Sequence, residues 1–309
     1  MKPPVAKTRH APEMRARVLE LRRTHSNAEV ARQTGLPIGT VKALASRAGV
    51  TRNNTQARTF FALPEPVLGA GAAVALPAPL PEQRSVTGDA ELDAVLWLRE
   101  VVQTGDAELI GKAMQGAERI KTPPQELERR YADHLVRTSG GNAMQGLFAF
   151  GIADLQGYAK KVLDRQARRS DALNRFGNEA AVFADTDTER FCIAALASVK
   201  ARKAWPSYAL KAVCIAFDMQ ADMRPHSLDD CLFELAYWNG LYQLRRAWPD
   251  AGDPLPQVSA REDYLHDCMG HLPPKSKAEA KDVLRYLTGP GRDAVSEEAT
   301  DRILQNLVG

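Results

Sequence analysis

Residues 36–50 read LPIGTVKALASRAGV, and two residue types at its ends set its structure. Pro37 suits the first turn of a helix, where its missing N–H costs nothing, and Gly49 suits the end of one. The stretch therefore predicts a helix running to about Ala48. Working back along the chain, Gly35 is the residue type that ends a preceding helix in the left-handed conformation at little steric cost. Ser26-Asn27-Ala28-Glu29 has the capping-box pattern: the serine hydroxyl accepts the N–H of Glu29, and the Glu29 carboxylate reaches back. Between Pro12 and Thr24, Met14, Val18, Leu19 and Leu21, with Ala11 before them, fit one helical face, while Arg15, Arg17, Arg22 and Arg23 occupy most of the rest. Three short helices in some 40 residues make a very small domain.

Charge sets this segment apart. Residues 1–58 hold 12 Lys and Arg against 3 Asp and Glu, whereas the remaining chain holds 29 against 35. A basic excess confined to the N-terminal fifth suggests that one end faces a polyanion while the rest is an ordinary acidic body. The chain's 309 residues exceed the usual single-domain size, so two or three compact units are expected. Its 44% hydrophobic and 26% charged residues place it among globular chains. No run of about 18 apolar residues occurs, so no membrane span and no membrane partner are expected. The start, MKPPVAKTRHAP, lacks an apolar h-region, so a cytoplasmic, nucleoid-associated location is expected. Cys192, Cys214, Cys231 and Cys268 are widely spaced, the first three in apolar helical contexts, and no disulfide is expected.

Residues 62–88 contain five prolines and little polar periodicity, which predicts a semi-extended tether. The alternative, a buried strand from Val74 to Leu76, is disfavoured by the flanking proline. From Asp89 onward the pattern is helical. Leu92, Val95, Leu96, Leu98 and Val101 form one apolar stripe, and Leu127, Tyr131 and Leu135 another. Residues 143–169, 189–204 and 207–219 continue in this way, and the end of the chain repeats every four residues at Val295, Ala299, Ile303 and Leu307. The segment from Leu228 to Trp248 is apolar on much of its circumference and is expected at the centre of a bundle. The expected fold is all-α. It divides into a trihelical head at 1–58, a Pro/Ala-rich linker at 59–88 and a helical body at 89–309 with a possible C-terminal subdomain at 255–309.

Two helices crossing steeply need small and apolar residues at their contact and a positive-φ residue in the turn, which Val30, Ala31, Gly35, Leu36, Val41 and Leu44 supply in order. Leu36-Pro37-Ile38-Gly39-Thr40-Val41-Lys42, followed by Ser46-Arg47-Ala48, resembles the promoter-reading helix-turn-helix of extracytoplasmic-function sigma factors. More broadly, it resembles helix-turn-helix units of phage and plasmid regulators and of small terminase subunits. The resemblance covers about 40 residues. Ala43 and Ala45 depart from the sigma version, and no polymerase-binding region precedes the motif, so the resemblance implies binding of double-stranded DNA rather than sigma activity. By that geometry Pro37, Ile38, Gly39, Thr40, Lys42, Ala43 and Ser46 face base edges or the adjacent backbone in the major groove. Lys42 is the one long donor among them, so discrimination from a single copy is modest. Arg9, Arg15, Arg22, Arg23, Arg32, Arg47 and Arg52 are expected at phosphates.

Other candidate chemistry is weaker. Lys161, Arg165, Arg168 and Arg169 share one helix side, and Lys200, Arg202 and Lys203 precede Trp205 and Tyr208. Asp164, Asp171, Glu189 and Asp218 surround them, so a solvated surface is the expectation. His266, Cys268 and His271 lie close in sequence, but no second pair completes a tetrahedral site, and neither metal nor cofactor is expected. SGGNAMQG at 139–146 lacks the Lys-Ser/Thr of a phosphate-binding loop and reads as a loop opening a helix. The pairs Asp229-Asp230 and Glu297-Glu298 read as helix N-terminal acids. No enzymatic activity is expected. The expected function is that of a bacterial or mobile-element transcriptional regulator that forms a homo-oligomer, with a protein partner on its helical body as a further possibility. The alternatives are a small-terminase-like packaging factor and an interaction adaptor.

Overall fold

The computed structural model describes residues 11–25, 27–48, 53–67, 79–202, 207–289 and 295–308, except for the side chains of Arg23 and Thr24. The fold is all-α, 69% helical, with no strand among the described residues. The helices are α1 (Pro12–Thr24), α2 (Asn27–Thr34), α3 (Ile38–Arg47), α4 (Thr55–Phe60), α5 (Ala90–Gln103), α6 (Ala107–Ala117), α7 (Pro124–Thr138) and α8 (Leu155–Phe176). They continue with α9 (Glu179–Phe183), α10 (Asp187–Ala195), α11 (Leu210–Asp218), α12 (Leu228–Arg245), α13 (Pro256–Met269), α14 (Lys277–Thr288) and α15 (Glu297–Val308). Short 3-10 helices lie at Ala143–Ala149 and Ala221–Met223. The chain divides into two compact units. The first comprises residues up to Pro64, Phe183–Tyr242 and the chain from Gly252 on; the second comprises Glu65–Val182 and Gln243–Ala251.

Within the first unit, α1, α2 and α3 close around Val18, Val30 and Val41, all fully buried, with Leu21, Ala31, Leu36 and Leu44 packed against them. Gly35 takes the positive φ of 69° that the turn after α2 requires. Ser26, and with it the expected capping box, lies outside the described residues, as do Gly49 and the stretch from Val74 to Leu76.

The larger core of this unit is aromatic. Phe61, Trp238, Phe217 and Tyr264 are almost wholly buried. Phe61 meets Trp238 edge-on at 5.8 Å between centroids, and Phe217 lies 5.4 Å from Tyr264. Among them Arg261, wholly buried, donates from Nε and Nη2 to the two oxygens of Glu234 at 2.7 and 2.8 Å, and from Nη2 to the Met223 carbonyl. Its guanidinium carbon lies 4.8 Å from the ring centroids of both Phe217 and Tyr264. A paired carboxylate and several ring faces replace the water this cation has lost.

This core revises the expected boundaries. A break between residues 58 and 59 falls inside α4, because Phe61 belongs to the aromatic core rather than to a tether. Nor is 255–309 a separate subdomain. Arg261, Tyr264 and Leu265 of α13 are buried in the same unit, where α13 packs on α10, α11 and α15. As expected, α12 is buried along most of its length, from Leu228 and Cys231 to Leu241. All four cysteines are free thiols.

In the second unit, α5, α6 and α8 pack through Leu98, Val101, Val102, Ile110, Ala113, Leu155, Ala159 and Val162. The expected tether is tied down at its far end. Asp93 of α5 accepts hydrogen bonds from the Ser85 hydroxyl and from the N–H and hydroxyl of Thr87, and Trp97 Nε1 donates to the Pro81 carbonyl at 2.9 Å. Burial pushes the Asp93 carboxyl up, but these hydrogen bonds outweigh it and hold the group down at about 2. The helix expected across 143–169 is broken. A 3-10 turn occupies 143–149, Gly151 takes φ 73°, and Asp154 caps α8 by accepting from the Gly157 N–H at 2.9 Å. Gly140 and Gly141 form the loop expected at 139–146.

Candidate nucleic-acid interface

Sequence periodicity fixes which side of α3 is free. Val41 and Ala45 are turned into the head core, so the side with Gly39, Lys42 and Ser46 is left in solvent, and Ile38, on the core side of the helix but in its first turn, is exposed as well. Pro37 is the residue that caps α3, its carbonyl accepting from Thr40 N–H at 2.8 Å and Val41 N–H at 3.1 Å. Pro37 itself is exposed, Thr40 and Ala43 are half-buried, and Ile38 leaves 46% of its surface in solvent. An exposed apolar side chain beside a lysine and a serine offers one van der Waals contact for a thymine methyl, one long cationic donor and one short hydroxyl.

The expected phosphate contacts divide. Arg15 and Arg47 are exposed and have no ion pair among the described residues, as is true of Lys42 and of Arg17, which was not among the expected contacts. Arg32 is exposed but lies 3.3 Å from Glu29, one turn back on α2, a pairing between two solvated groups that stabilises little. Arg22 contradicts its assignment. It is only 8% exposed, and Nη1 donates to the His25 carbonyl, closing the end of α1. Lying four residues after Val18, it falls on the face of α1 that turns inward. Arg9 and Arg52 lie outside the described residues, and so does the side chain of Arg23.

Sequence reading missed a polar seam that joins the segment after α3 to the N-terminus of α12. Asn54 caps α4 through its side-chain oxygen and donates its amide to the carbonyls of Asp222 and Arg224, both at 2.8 Å. Arg58 donates to Asp230 at 2.7 Å and to Asp229 at 2.6 Å. Burial pushes the Asp229 carboxyl up, but the hydrogen bond and charge of Arg58 outweigh it and hold the group below its ordinary range. The acidic pair therefore does more than face the helix dipole: it anchors the chain leaving the head. The available signal was an unpaired Asp-Asp opposite a single arginine some 170 residues earlier, which periodicity does not connect.

Other clusters do not converge. His266 is buried with Nε2 2.8 Å from the Tyr286 hydroxyl, whereas His271 is exposed, 3.6 Å from Asp267. Burial pushes the Cys214 and Cys268 thiols up to about 12. A cleft of about 450 Å³ in the second unit is lined by Val95, Met114, Ile120 and Leu127; of its three acids, Glu128 and Asp154 accept backbone N–H groups and serve local structure, and Glu118 is exposed. The expected second basic cluster divides: α8 belongs to the second unit, while Lys200 and Arg202 belong to the first and Lys203 and Trp205 lie outside the described residues. No helix among the described residues is long and apolar enough to cross a membrane.

No family model, curated protein or solved structure matches the chain.

Proposed function

We propose that the chain is a sequence-reading DNA-binding protein of the transcriptional-regulator kind, non-enzymatic, whose α3 enters the major groove of a duplex as the second helix of a helix-turn-helix. One observation carries this reading: one side of α3 is exposed on a helix that rests on a buried valine core, while Lys42 and Arg47 of α3 and Arg15 and Arg17 of α1 have no carboxylate partner among the described residues. Unpaired cations on a rigid support are what a duplex backbone rewards, and the short side chains of Thr40, Ala43 and Ser46 let the helix approach base edges closely. Selection of bound fragments from a random duplex pool by the full chain tests it. A common motif that is lost with Lys42→Ala supports the reading. Recovery of fragments without any shared sequence, from wild type and variant alike, contradicts it.

Modest readout from one helix favours two linked heads, because the second binding event then gains effective concentration. We place the self-association on the 3-10 segment after α7, where Met144, Leu147, Phe148 and Phe150 are exposed, Phe150 by 90%. The same ridge is the observation that favours a second reading, an adaptor that docks another protein there. Mass measurement in solution separates the two. A wild-type dimer that Phe148→Asp with Phe150→Asp converts to monomer fits self-association, and a monomeric wild type fits the adaptor. A closed ring of many subunits fits packaging.

A further inference from the structure

Arg165 of α8 and Arg246, just past the end of α12, are some 80 residues apart in sequence yet line one cleft of about 250 Å³, together with Trp248, Pro249 and Ala251, all within the second unit. Both arginines are exposed and neither has an ion pair among the described residues. Trp248 is only 6% exposed, and Arg169 lies over its ring at 4.9 Å, which fixes the aromatic side of the cleft. We propose that this cleft holds backbone phosphates of nucleic acid, a second contact surface separate from α3. The proposal rests on the reading that the chain binds nucleic acid, but not on how α3 does so.

The length of the basic run favours a polyanion over a single small anion, and the scarcity of carboxylates and the guanidinium geometry favour phosphate. Lys161, Arg165, Arg168 and Arg169 recur at helical spacing along one side of α8, a run of about 12 Å at the rise of an α-helix. A duplex strand presents a charge about every 3.4 Å along its axis, so such a run faces several phosphates. Carboxylates compensate little of it. Glu179 pairs with Arg169 at 3.2 Å, and Asp164 stands at the edge of the stripe, but Lys161, Arg165, Arg168 and Arg246 have no carboxylate partner among the described residues. The planar guanidinium forks also suit phosphate oxygens, which they can meet through two parallel N–H groups.

The test compares full-length wild type, Arg165→Gln with Arg246→Gln, and Lys42→Ala with Arg47→Ala, each titrated with a duplex of roughly 40 base pairs at several salt concentrations. Removing two phosphate contacts is expected to weaken binding about tenfold at low salt and to flatten the log–log salt dependence by about 2, with thermal melting unchanged because both side chains are exposed. Unchanged affinity and slope in the Arg165/Arg246 variant overturn the proposal, whatever the Lys42/Arg47 variant does. Loss in the Arg165/Arg246 variant with no effect of Lys42→Ala and Arg47→Ala supports the cleft and removes α3 instead. A wild type that binds no duplex at low salt overturns both. Calorimetry with inorganic phosphate separates the small-anion source: phosphate binding that the variant abolishes while duplex affinity stays the same overturns the polyanion assignment.

Discussion

Arg47 at the end of α3 and Arg261 in the middle of α13 are the same side chain in opposite circumstances. Arg47 is exposed, without a carboxylate partner among the described residues, on a three-helix head whose core is three valines. Arg261 is wholly buried, held by both oxygens of Glu234 and packed among Phe61, Phe217 and Tyr264. The difference teaches how to sort cations in this chain. Arginines that build the fold have acceptors inside it, carboxylates for Arg58 with Asp230 and Arg302 with Asp267, and a backbone carbonyl for Arg22. Under the proposed function, the lack of a carboxylate partner for Arg47 among the described residues leaves it free of an internal competitor for phosphate.

The strongest way to break this comparison is at Glu234. Glu234→Ala leaves Arg261 an uncompensated buried charge, and about 3–5 kcal/mol of stability is expected to be lost in urea unfolding. Replacing both partners, Glu234→Leu with Arg261→Met, should recover most of that loss. A cost under about 1 kcal/mol for the single change would mean that water reaches the pair.

The next effect separates the two regions. Val41→Ala removes part of a core with only three fully buried side chains, at an expected cost of about 2 kcal/mol. In so small a unit that is a large fraction of its stability. Duplex binding is expected to disappear while unfolding of the aromatic core, followed by tryptophan fluorescence, keeps its midpoint. A shift of that midpoint together with the head would show that the two regions unfold as one.

Two groups on α13 sharpen the account of the body through pH. Burial pushes the Glu262 carboxyl up from 4.5 to about 7, so the folded chain keeps a proton that the unfolded chain releases across that interval. Its contribution is present below pH 4.5 and lost as pH rises through 7. Glu262→Gln, neutral at every pH, is therefore expected to gain about 1–2 kcal/mol near pH 8 and nothing near pH 4. His266 has the opposite sign. Burial lowers it from 6.5 to about 4, so the unfolded chain takes up the extra proton there, and stability present above 6.5 is lost as pH falls through 4. Thermal melting across this range checks both, and a Glu262→Gln melting curve parallel to wild type would contradict the first.

Much of the head was legible in the sequence. Val18 stands at helical spacing with Met14 and Leu21 on α1 and Val41 with Leu44 on α3, and Gly35 marks the turn between two of the helices, so composition and periodicity agree on one answer. Arg22 was misread because its charge was given more weight than its position. Four residues after Val18 it lies on the inward face, and its long side chain can satisfy the last carbonyls of α1 from there. Phe61 was hidden by the prolines at 64 and 66, which predict a tether without saying how far the core extends toward them. The cleft of Arg165 and Arg246 was half legible, since the basic stripe of α8 is read from spacing, but only the tertiary fold brings residues 246–251 beside it.

The smallest expected effect bears most directly on the central claim, that unpaired cations on and around α3 meet a duplex. It is the salt dependence of duplex affinity for the full chain, with and without Lys42→Ala and Arg47→Ala. Each substitution is expected to weaken binding about tenfold or less and to flatten the log–log salt slope by about 0.9 per phosphate contact removed. Wild-type and doubly substituted chains with the same affinity and the same slope would contradict it.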